Sequence, residues 1–416
     1  MTGYRTTDAP TASELAACVQ CGLCLPFCPT FRLTGKESAS PRGRLAAMRA
    51  VLEGVAEVDA AFDEAISFCL GCRACEAVCP GLVPYGRVLE GARAELVAQR
   101  PSRARRLRRI ALGRVLAVRS VIRIATAAMA FGQRVGAANL GGVAGRALRG
   151  LRRIEPRRER WIGRTTEATA THRGTAALLA GCIMDDWFGP VHDATVALLS
   201  RAGYRVEVPE AQTCCGALAA HDGHTDEARR LAALNVAAFG SADLIVADAA
   251  GCSAHLKDYA HLAVGGDGVA RRVVDVTELV ASLIADGSLP TLEPTGERVA
   301  IQDPCHLRHA QRIVAQPRAI LRAAGIEPVE IDPDGLCCGA AGIYTLLRPA
   351  ASTELGRLKA AQVEAVGVSA VASANPGCEM QLRAALDPSV RVRHPIEWYF
   401  ERVSAEDADR YAASAK

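Results

Sequence analysis

The chain has 416 residues, half of them apolar and 23% charged, with a formal net charge of +4, which excludes global disorder and allows two to four domains. It has 16 cysteines and a polar N-terminus without the apolar core of a signal peptide, so in a reducing cytoplasm we expect metal ligation or redox chemistry rather than disulfides. No stretch has the roughly 18–20 uncharged apolar residues of a spanning helix, and we expect a cytoplasmic protein, soluble or peripheral on the cytoplasmic membrane.

Two cysteine runs of equal spacing lie in residues 1–98, which we predict to be one domain. Each run reads C-x2-C-x2-C-x3-C-P, the pattern of bacterial proteins with two [4Fe–4S] clusters, in which the fourth cysteine of each run ligates the other cluster. We therefore assign the first cluster to Cys18, Cys21, Cys24 and Cys79. We assign the second to Cys69, Cys72, Cys75 and Cys28. The alternatives are a pair of zinc sites or a disulfide knot, but zinc usually takes separated C-x2-C pairs.

The sequence between these runs predicts helices, and so a helical ferredoxin domain. Ser40 and Pro41 are typical of a helix N-cap and first helical residue. Apolar residues then follow at helical spacing. A second helix is predicted from about Val58 to Phe68.

Residues 99–172 are predicted to be a basic linker, helical at first and then glycine-rich. From Leu96 to Ile154 there are 14 arginines and no lysine, aspartate or glutamate. Arginines beside apolar side chains on one helix are the pattern of an interfacial helix, which predicts peripheral contact with a membrane. The alternatives are a solvated linker face, or arginines paired with acidic surfaces of the complex.

The last 245 residues contain an internal repeat. The four cysteines of its first copy are Cys182, Cys214, Cys215 and Cys252, and a glycine follows the adjacent pair Cys214 and Cys215. They recur 123 to 126 residues later as Cys305, Cys337, Cys338 and Cys378. Short apolar strands alternate with helical stretches, which predicts tandem α/β modules with parallel sheets, over residues 173–290 and 291–416. The predicted strands are Thr175–Ala180, Leu244–Ala247, Val299–Ile301 and Ala370–Ala372.

Each repeat offers four thiols to one centre. Adjacent cysteines do not easily form a disulfide, but both can face one metal centre if the glycine behind them gives the backbone an unusual path. Four thiolates suffice for an iron–sulfur cluster; a zinc site, a thiol pair and an unmetallated remnant remain as alternatives. We expect His306 and His394 to be structural, because buried histidines commonly satisfy backbone groups.

The repeated pattern resembles the cysteine-rich CCG domain of heterodisulfide reductase, anaerobic glycerol-3-phosphate dehydrogenase, lactate-utilisation proteins and glycolate oxidase. In that group the pattern usually ends in C-x-x-C, whereas this sequence has His255 after Cys252 and Gln381 after Cys378. The resemblance implies that one ligand per module is absent or, in the first module, replaced by histidine. It therefore argues against five-cysteine noncubane clusters.

The order of ferredoxin pair, linker and two CCG modules resembles the iron–sulfur subunit of glycolate oxidase over nearly the whole chain. The likeness is strongest from Cys18 to Leu45 and from Cys69 to Gly86. It implies an electron-transfer subunit of a flavin-dependent 2-hydroxy-acid (glycolate) oxidase or dehydrogenase complex. Such a subunit passes electrons from FAD-containing oxidase subunits towards quinone or another membrane acceptor.

No catalytic residue and no nucleic-acid partner are expected in this chain. It has no G-x-G-x-x-G after a predicted strand and no P-loop, so the flavin and the base that activates the substrate must belong to partners. Two alternatives remain. One is the iron–sulfur subunit of an anaerobic glycerol-3-phosphate or lactate dehydrogenase, and the other is a non-redox, metal-stabilised scaffold.

Overall fold

The N-terminal part of the chain is helical. The computed structural model describes residues 3–155, 158–240 and 242–414. Its first six helices are α1 (Ala12–Ala16), α2 (Pro29–Thr34), α3 (Pro41–Leu52), α4 (Ala60–Ser67), α5 (Ala74–Ala77) and α6 (Tyr85–Gln99). The Ser40 side chain caps α3 by accepting from the Gly43 N–H, and Asp59 caps α4. Both helices predicted between the cysteine runs are confirmed.

A small apolar core holds these helices together. Met48, Val51, Ile66 and Val88 from α3, α4 and α6 are buried within it. The buried carboxylate of Glu95 in α6 accepts hydrogen bonds from the backbone N–H groups of residues 5 and 6, at 2.9 and 2.6 Å. The start of the chain is thereby tied to the end of this helical unit.

Three helices follow in the basic segment: α7 (Arg103–Gly113), α8 (Arg119–Arg134) and α9 (Gly142–Gly150). Helix α7 packs on the first α/β module, α8 contacts its first helix, and α9 packs on the second module. In the described part of the chain no single helix has the length and apolar character to cross a bilayer. Only the pair Arg103–Ala117 and Arg119–Arg134 meets both criteria jointly, and a 94° bend separates its halves.

The first α/β module contains a five-stranded sheet. Its strands are β1 (Thr165–Thr166), β2 (Gly174–Leu178), β3 (Tyr204–Glu207), β4 (Leu244–Ala247) and β5 (Val273–Asp275). Its helices are α10 (Met184–Trp187), α11 (Gly189–Arg201), α12 (Ala217–His221), α13 (Thr225–Ala238), α14 (Ala250–Lys257), α15 (Gly266–Arg272) and α16 (Val276–Ala285). The strand order is β1-β3-β2-β4-β5, parallel except for β1.

The second module repeats this topology. Its strands are β6 (Arg298–Ile301), β7 (Glu327–Glu330), β8 (Ala370–Ala372) and β9 (Arg391–Arg393). Its helices are α17 (Ala315–Ala323), α18 (Tyr344–Leu347), α19 (Pro349–Ala365), α20 (Pro376–Ala385) and α21 (Pro395–Ser414). The strand order β7-β6-β8-β9 is all parallel and matches β3-β2-β4-β5 of the first module. The predicted strands and parallel α/β modules are confirmed.

The last helix of each module packs against a helix of the other module, and α21 also packs on α17 of its own module. Helix α16, at the end of the first module, packs on α17 of the second, and α21 packs on α11 of the first. One continuous apolar core therefore spans both modules, with Leu198 and Val280 on one side and Ile320 and Tyr399 on the other. Because burial of apolar surface is the main source of folding free energy, we expect the modules to fold as one unit.

Candidate metal centres

Two cavities in the N-terminal domain are lined by cysteines. The first is lined by the four that the spacing assigned to one cluster: Cys18, Cys21, Cys24 and Cys79. The second is lined by the other four: Cys28, Cys69, Cys72 and Cys75. Cys75 also touches the first cavity. The two runs thus cross in the fold, since each cavity receives one cysteine from the distant run.

Proline explains how the first run divides between the cavities. Cys28 is the N-cap of α2, and Pro29 is its first helical residue. Because proline is suited to the first turn of a helix, the chain leaves the first cavity at this point. The Cys28 thiol then lies beside the Thr30 hydroxyl, at 3.3 Å, in the wall of the second cavity.

The cavities differ in exposure. Cys21 of the first is exposed, whereas all four cysteines of the second are buried. Burial raises the pKa of Cys24 to about 11 and also raises the pKa values of Cys72 and Cys75 well above the ordinary thiol value. Thiols in such surroundings ionise when a bound cation compensates for the lost hydration. Four convergent thiols fit the ligand set of a [4Fe–4S] cluster, which binds thiolates to iron.

A buried arginine stands beside the second cavity. The side chain of Arg44 is wholly buried and donates to the Ala65 carbonyl at 2.7 Å and the Thr30 hydroxyl at 3.0 Å. Its other terminal nitrogen is 4.0 Å from the Cys28 sulfur. A fixed positive charge there offsets negative charge on ionised thiols. This role of Arg44 was not predicted from the sequence, where its i, i+4 spacing to Met48 indicates only a shared helix face.

The cysteines of the first α/β module all follow strand ends. Cys182 lies after β2, Cys214 and Cys215 after β3, and Cys252 in the helix after β4. Because the carboxyl ends of parallel strands meet at one sheet edge, these residues come together. The Cys215 and Cys252 sulfurs are 3.3 Å apart, and the Cys214 thiol is near enough to Cys182 to raise the pKa of Cys182.

The second module places its cysteines in the same way. Cys305 follows β6, the Cys337–Cys338 pair follows β7, and Cys378 lies in the helix after β8. The thiols again lie next to one another in chain order, Cys305 by Cys337, Cys337 by Cys338 and Cys338 by Cys378. Their interactions lower the pKa values of Cys305 and Cys338 and raise those of Cys337 and Cys378.

The glycine after each cysteine pair has the backbone conformation that the sequence analysis required. Gly216 has φ +91° and Gly339 has φ +89°, a region that costs other L-residues free energy. A β-carbon at Gly339 would also lie 2.8 Å from that of Leu355. Both cysteines of each pair can therefore face the same centre. In the described part of the chain, no three His, Cys, Asp or Glu side chains are placed to hold a single metal ion.

The two modules differ at the position after the last cysteine. In the first, the His255 imidazole is buried, and its Nε2 has no hydrogen-bond partner among the described residues. Burial and the neighbouring His221 lower the pKa of His255 to about 4, so this ring is neutral near pH 7. In the second, the Gln381 amide donates to the Ser352 carbonyl at 2.7 Å and accepts from Arg146 at 3.1 Å. Of these two side chains, therefore, only His255 of the first module has a nitrogen without a hydrogen-bond partner among the described residues.

Histidines gather where the N-terminal domain meets both modules. His221 stacks on His306, with ring centroids 5.2 Å apart, and meets His255 edge-on at 6.0 Å. His221 also contacts the Glu90 carboxylate at 2.7 Å. Burial is the largest single effect on Glu90 and raises its pKa, but the His221 hydrogen bond and the nearby charges of His221, His255 and Arg73 together outweigh burial, so the pKa falls to about 2. Sequence spacing gave no signal for Glu90 or His221, because their partners are distant in the chain.

The two histidines expected to be structural have different surroundings. His394 Nδ1 accepts from the Ile396 N–H at 3.3 Å, at the start of α21, so it does satisfy a backbone group. His306 Nδ1 instead lies 3.8 Å from the Cys305 sulfur. Its imidazole therefore borders the second module's thiols. A purely structural role, as expected for His306, does not include this contact.

The second cavity adjoins the cysteines of the second module. Leu70, Cys72 and Ala74 pack in one apolar cluster with Cys337 and partly buried Cys305. After burial, the nearby Cys305 is the next cause of the raised pKa of Cys72. The Tyr344 hydroxyl donates to the Phe68 carbonyl at 3.2 Å across the same interface. Thiols separated by more than 230 residues in sequence thus share one cluster of side chains.

Two four-thiol cavities ahead of two four-thiol α/β modules define a class: multi-centre iron–sulfur proteins of oxidoreductases. Comparison with protein families agrees. Residues 14–83 match a 4Fe-4S dicluster domain, and residues 176–257 and 299–383 each match a cysteine-rich domain, CCG. The N-terminal ferredoxin-type domain and the two CCG domains expected from the resemblance are confirmed.

Relatives narrow the class to a family. The chain is 33% identical over 406 residues to the probable glycolate oxidase iron–sulfur subunit of Bacillus subtilis, covering 90% of this chain and 89% of the relative. It is 30% identical to the glycolate oxidase iron–sulfur subunit of Escherichia coli, covering 92% and 93%. A lactate utilization protein of Geobacillus kaustophilus is 28% identical over 232 residues, covering 53% of this chain and 96% of the relative. The chain belongs to the family of glycolate oxidase iron–sulfur subunits.

Proposed function

We propose that this chain carries electrons out of a flavin-dependent 2-hydroxy-acid oxidase or dehydrogenase complex, with glycolate as the substrate. FAD-containing subunits would supply the electrons, and quinone or another membrane acceptor at the cytoplasmic face would take them. The names of the two relatives similar over most of the chain support glycolate. This chain contributes no residue to the oxidation of the substrate.

The observation that carries the proposal is that three of the cysteine sets lie in contact with one another. The exposed first cavity adjoins the buried second through Cys75, and the second adjoins the second module through Cys72. When bound, [4Fe–4S] clusters accept and release single electrons. Ligand sets in contact with one another suit transfer inside the chain, whereas a scaffold has no need for such contacts.

Each cysteine set has its own place in the proposal. We assign Cys18, Cys21, Cys24 and Cys79 to the first [4Fe–4S] cluster. We assign Cys69, Cys72, Cys75 and Cys28 to the second. In the first module we propose a further iron–sulfur centre on Cys182, Cys214, Cys215 and Cys252. In the second module we propose one on Cys305, Cys337, Cys338 and Cys378.

The exposed edge of the first cavity is the proposed contact with a partner's redox centre. Cys21 is exposed, and the large apolar side chains of Val19 and Leu23 beside it are exposed as well. Apolar side chains around an accessible ligand favour a dry contact with another subunit. Arg44 and the burial of Cys72 keep the second cavity away from solvent.

The test uses the chain with the subunits that co-purify with it. Glycolate, lactate and glycerol 3-phosphate are each supplied anaerobically, and reduction of a quinone analogue is followed. We expect the greatest rate with glycolate. In a complex with Cys72→Ser, glycolate should still bleach the flavin, while quinone reduction falls by more than about tenfold. Unchanged quinone reduction in that variant would overturn the proposal.

A further inference from the structure

The basic segment carries an unusual share of the exposed apolar surface. Nineteen large apolar side chains are exposed in the described part of the chain, and ten of them lie between residues 107 and 143. They are Leu107, Ile110, Val115, Val118, Val121, Ile124, Phe131, Val135, Leu140 and Val143. Concentrated exposure of this kind marks a surface that another body covers.

Helix α8 is apolar on two opposite faces. Ile122, Thr126 and Ala130 form its buried face, and the Thr126 hydroxyl accepts from the Trp187 indole of the first module at 2.9 Å. Residues 121, 124, 128, 131 and 135 follow at helical spacing about half a turn away. This outer stripe includes Ile124, 70% exposed, and Phe131, 65% exposed. Packing on the module accounts for the first face only.

The charge of the segment divides into paired and free arginines. Arg105 and Arg108 form ion pairs within the chain, with Asp63 and Asp222, at 2.7 and 2.8 Å. Five others are exposed and have no ion pair or side-chain hydrogen bond to any described residue. These are Arg103, Arg106, Arg123, Arg134 and Arg153. No acidic residue lies between residues 96 and 154 to neutralise them.

The free arginines lie beside the exposed apolar side chains. On α7, Arg103, Arg106, Leu107 and Ile110 fall on one side at helical spacing, and all four are exposed. On α8, Arg123 and Arg134 lie together on one flank of the helix, between the buried face and the outer stripe. An apolar stripe flanked by free cations, without acids, complements an anionic lipid surface, where apolar groups enter the acyl boundary and guanidinium groups meet phosphates. Protein interfaces are depleted of lysine and acidic residues but enriched in arginine, so the dependence of binding on anionic lipid is what distinguishes the two kinds of partner.

We propose that α7, α8 and the turn up to Val143 dock on the surface of an anionic bilayer. The outer stripe of α8 lies at the acyl boundary, and the free arginines contact lipid phosphates. Paired arginines such as Arg105 and Arg108 hold the segment to the protein. This docking is independent of the proposed electron transfer, since none of the sixteen cysteines takes part in it.

Sedimentation with vesicles tests the proposal on the full-length chain, purified anaerobically. Vesicles of phosphatidylcholine alone are compared with vesicles that also contain phosphatidylglycerol, at low and high salt. We expect sedimentation with the anionic vesicles at low salt and a loss of about tenfold in bound protein at high salt, because salt screens exposed charges. Neutral vesicles should bind little protein under either condition.

Two variants and two matched controls separate the contributions. Ile124→Ser with Phe131→Ser removes the stripe, and Arg123→Gln with Arg134→Gln removes free charge; each should weaken binding about tenfold or more. The controls, Leu346→Ser with Leu347→Ser and Arg271→Gln with Arg357→Gln, alter exposed residues elsewhere and should bind like wild type. An unchanged visible absorbance in each variant shows that it has folded.

Three results would overturn the proposal. Equal binding to neutral and anionic vesicles would remove the role of the arginines. Wild-type binding by both test variants would place the contact elsewhere. If the serine double variant instead converted a wild-type dimer to a monomer in size-exclusion chromatography, the stripe would belong to an interface between two copies of this chain.

Discussion

Each cavity of the N-terminal domain is lined by three cysteines of one run and the fourth of the other, which is the grouping that their spacing predicts; that each group binds a cluster stays a prediction. The grouping can be inferred from the sequence because a run of three cysteines and the proline after the fourth restrict the local path of the chain. Arg44 and Glu90 could not be predicted in the same way. Their functional contacts are with Cys28 and His221, and these pairings depend on tertiary packing.

The crossed assignment predicts that two distant cysteines affect one signal. Cys24→Ser and Cys79→Ser should each remove the same cluster signal in electron paramagnetic resonance of the dithionite-reduced protein, because both thiols line the first cavity. Cys28→Ser, from the same run as Cys24, should affect the other signal. If Cys24→Ser and Cys28→Ser instead removed the same signal, each run would hold its own cluster.

His394 predicts a pH-dependent stability. Burial lowers the pKa of His394 to about 4, below its ordinary value of 6.5, so the unfolded chain takes up the proton first. The contribution of neutral His394 to the free energy of unfolding is therefore complete above pH 6.5 and is lost as the pH falls towards 4. Between pH 7 and 5 we expect the free energy of unfolding to fall by about 2 kcal/mol from this group.

The His394→Asn variant provides the comparison, since an asparagine oxygen can accept the Ile396 N–H without titrating. Denaturant unfolding of both proteins at pH 7 and pH 5 should show that the free energy of unfolding decreases less in the variant than in the wild type. An equal decrease in both would mean that His394 does not titrate in this range.

At the scale of elements, alternation of short apolar runs with helical stretches predicted the strands and their parallel pairing. Leu244–Ala247 and Ala370–Ala372 are observed with the predicted bounds, because buried parallel strands are short and apolar throughout. The contacts of α7, α8 and α9 with both modules could not be read from the sequence. A run of arginine, alanine and glycine indicates charge and local flexibility, whereas the acidic and apolar partners lie far along the chain.

One arginine fastens the end of the basic segment to the second module. Arg152 donates to the carboxylates of Glu379 and Glu397 at 2.7 and 2.6 Å, and all three side chains are largely buried. Arg152→Met leaves buried Glu397 without an ion-pair partner and buried Glu379 with Arg383 alone, so we expect a loss of about 3–5 kcal/mol in the free energy of unfolding. Arg153→Met is the matched control. Its arginine is exposed, and we expect a change within about 0.5 kcal/mol. Equal losses from both would exclude this role for Arg152.

The whole molecule brings the N-terminal domain against both modules. The repeat offset of 123 to 126 residues predicted two copies of one unit, and the shared strand order agrees with it. Neither the packing of α16 and α21 across the two modules nor the contact of Cys72 with the second module's cysteines could be predicted from the cysteine spacing. Both are contacts between residues distant in sequence. The apolar pattern of each surface indicates that it is buried but does not indicate which other surface covers it.

Metal content tests the modules in the intact chain. The two N-terminal clusters account for about eight irons. Cys214→Ser and Cys337→Ser should each lower the iron content of the anaerobically purified chain from a value above eight, because each removes a thiol from one module's set. About eight irons with about two zincs in the unmodified chain would establish zinc in the modules instead.

The central claim is that electrons from a hydroxy acid reach this chain's iron–sulfur centres. The most direct test adds glycolate anaerobically to the complex and records flavin absorbance and electron paramagnetic resonance signals together. We predict that reduced-cluster signals appear as the flavin is bleached, and that Cys24→Ser lacks the signal of the first cavity. Flavin bleaching without any reduced-cluster signal, in a complex whose clusters dithionite does reduce, would contradict the account.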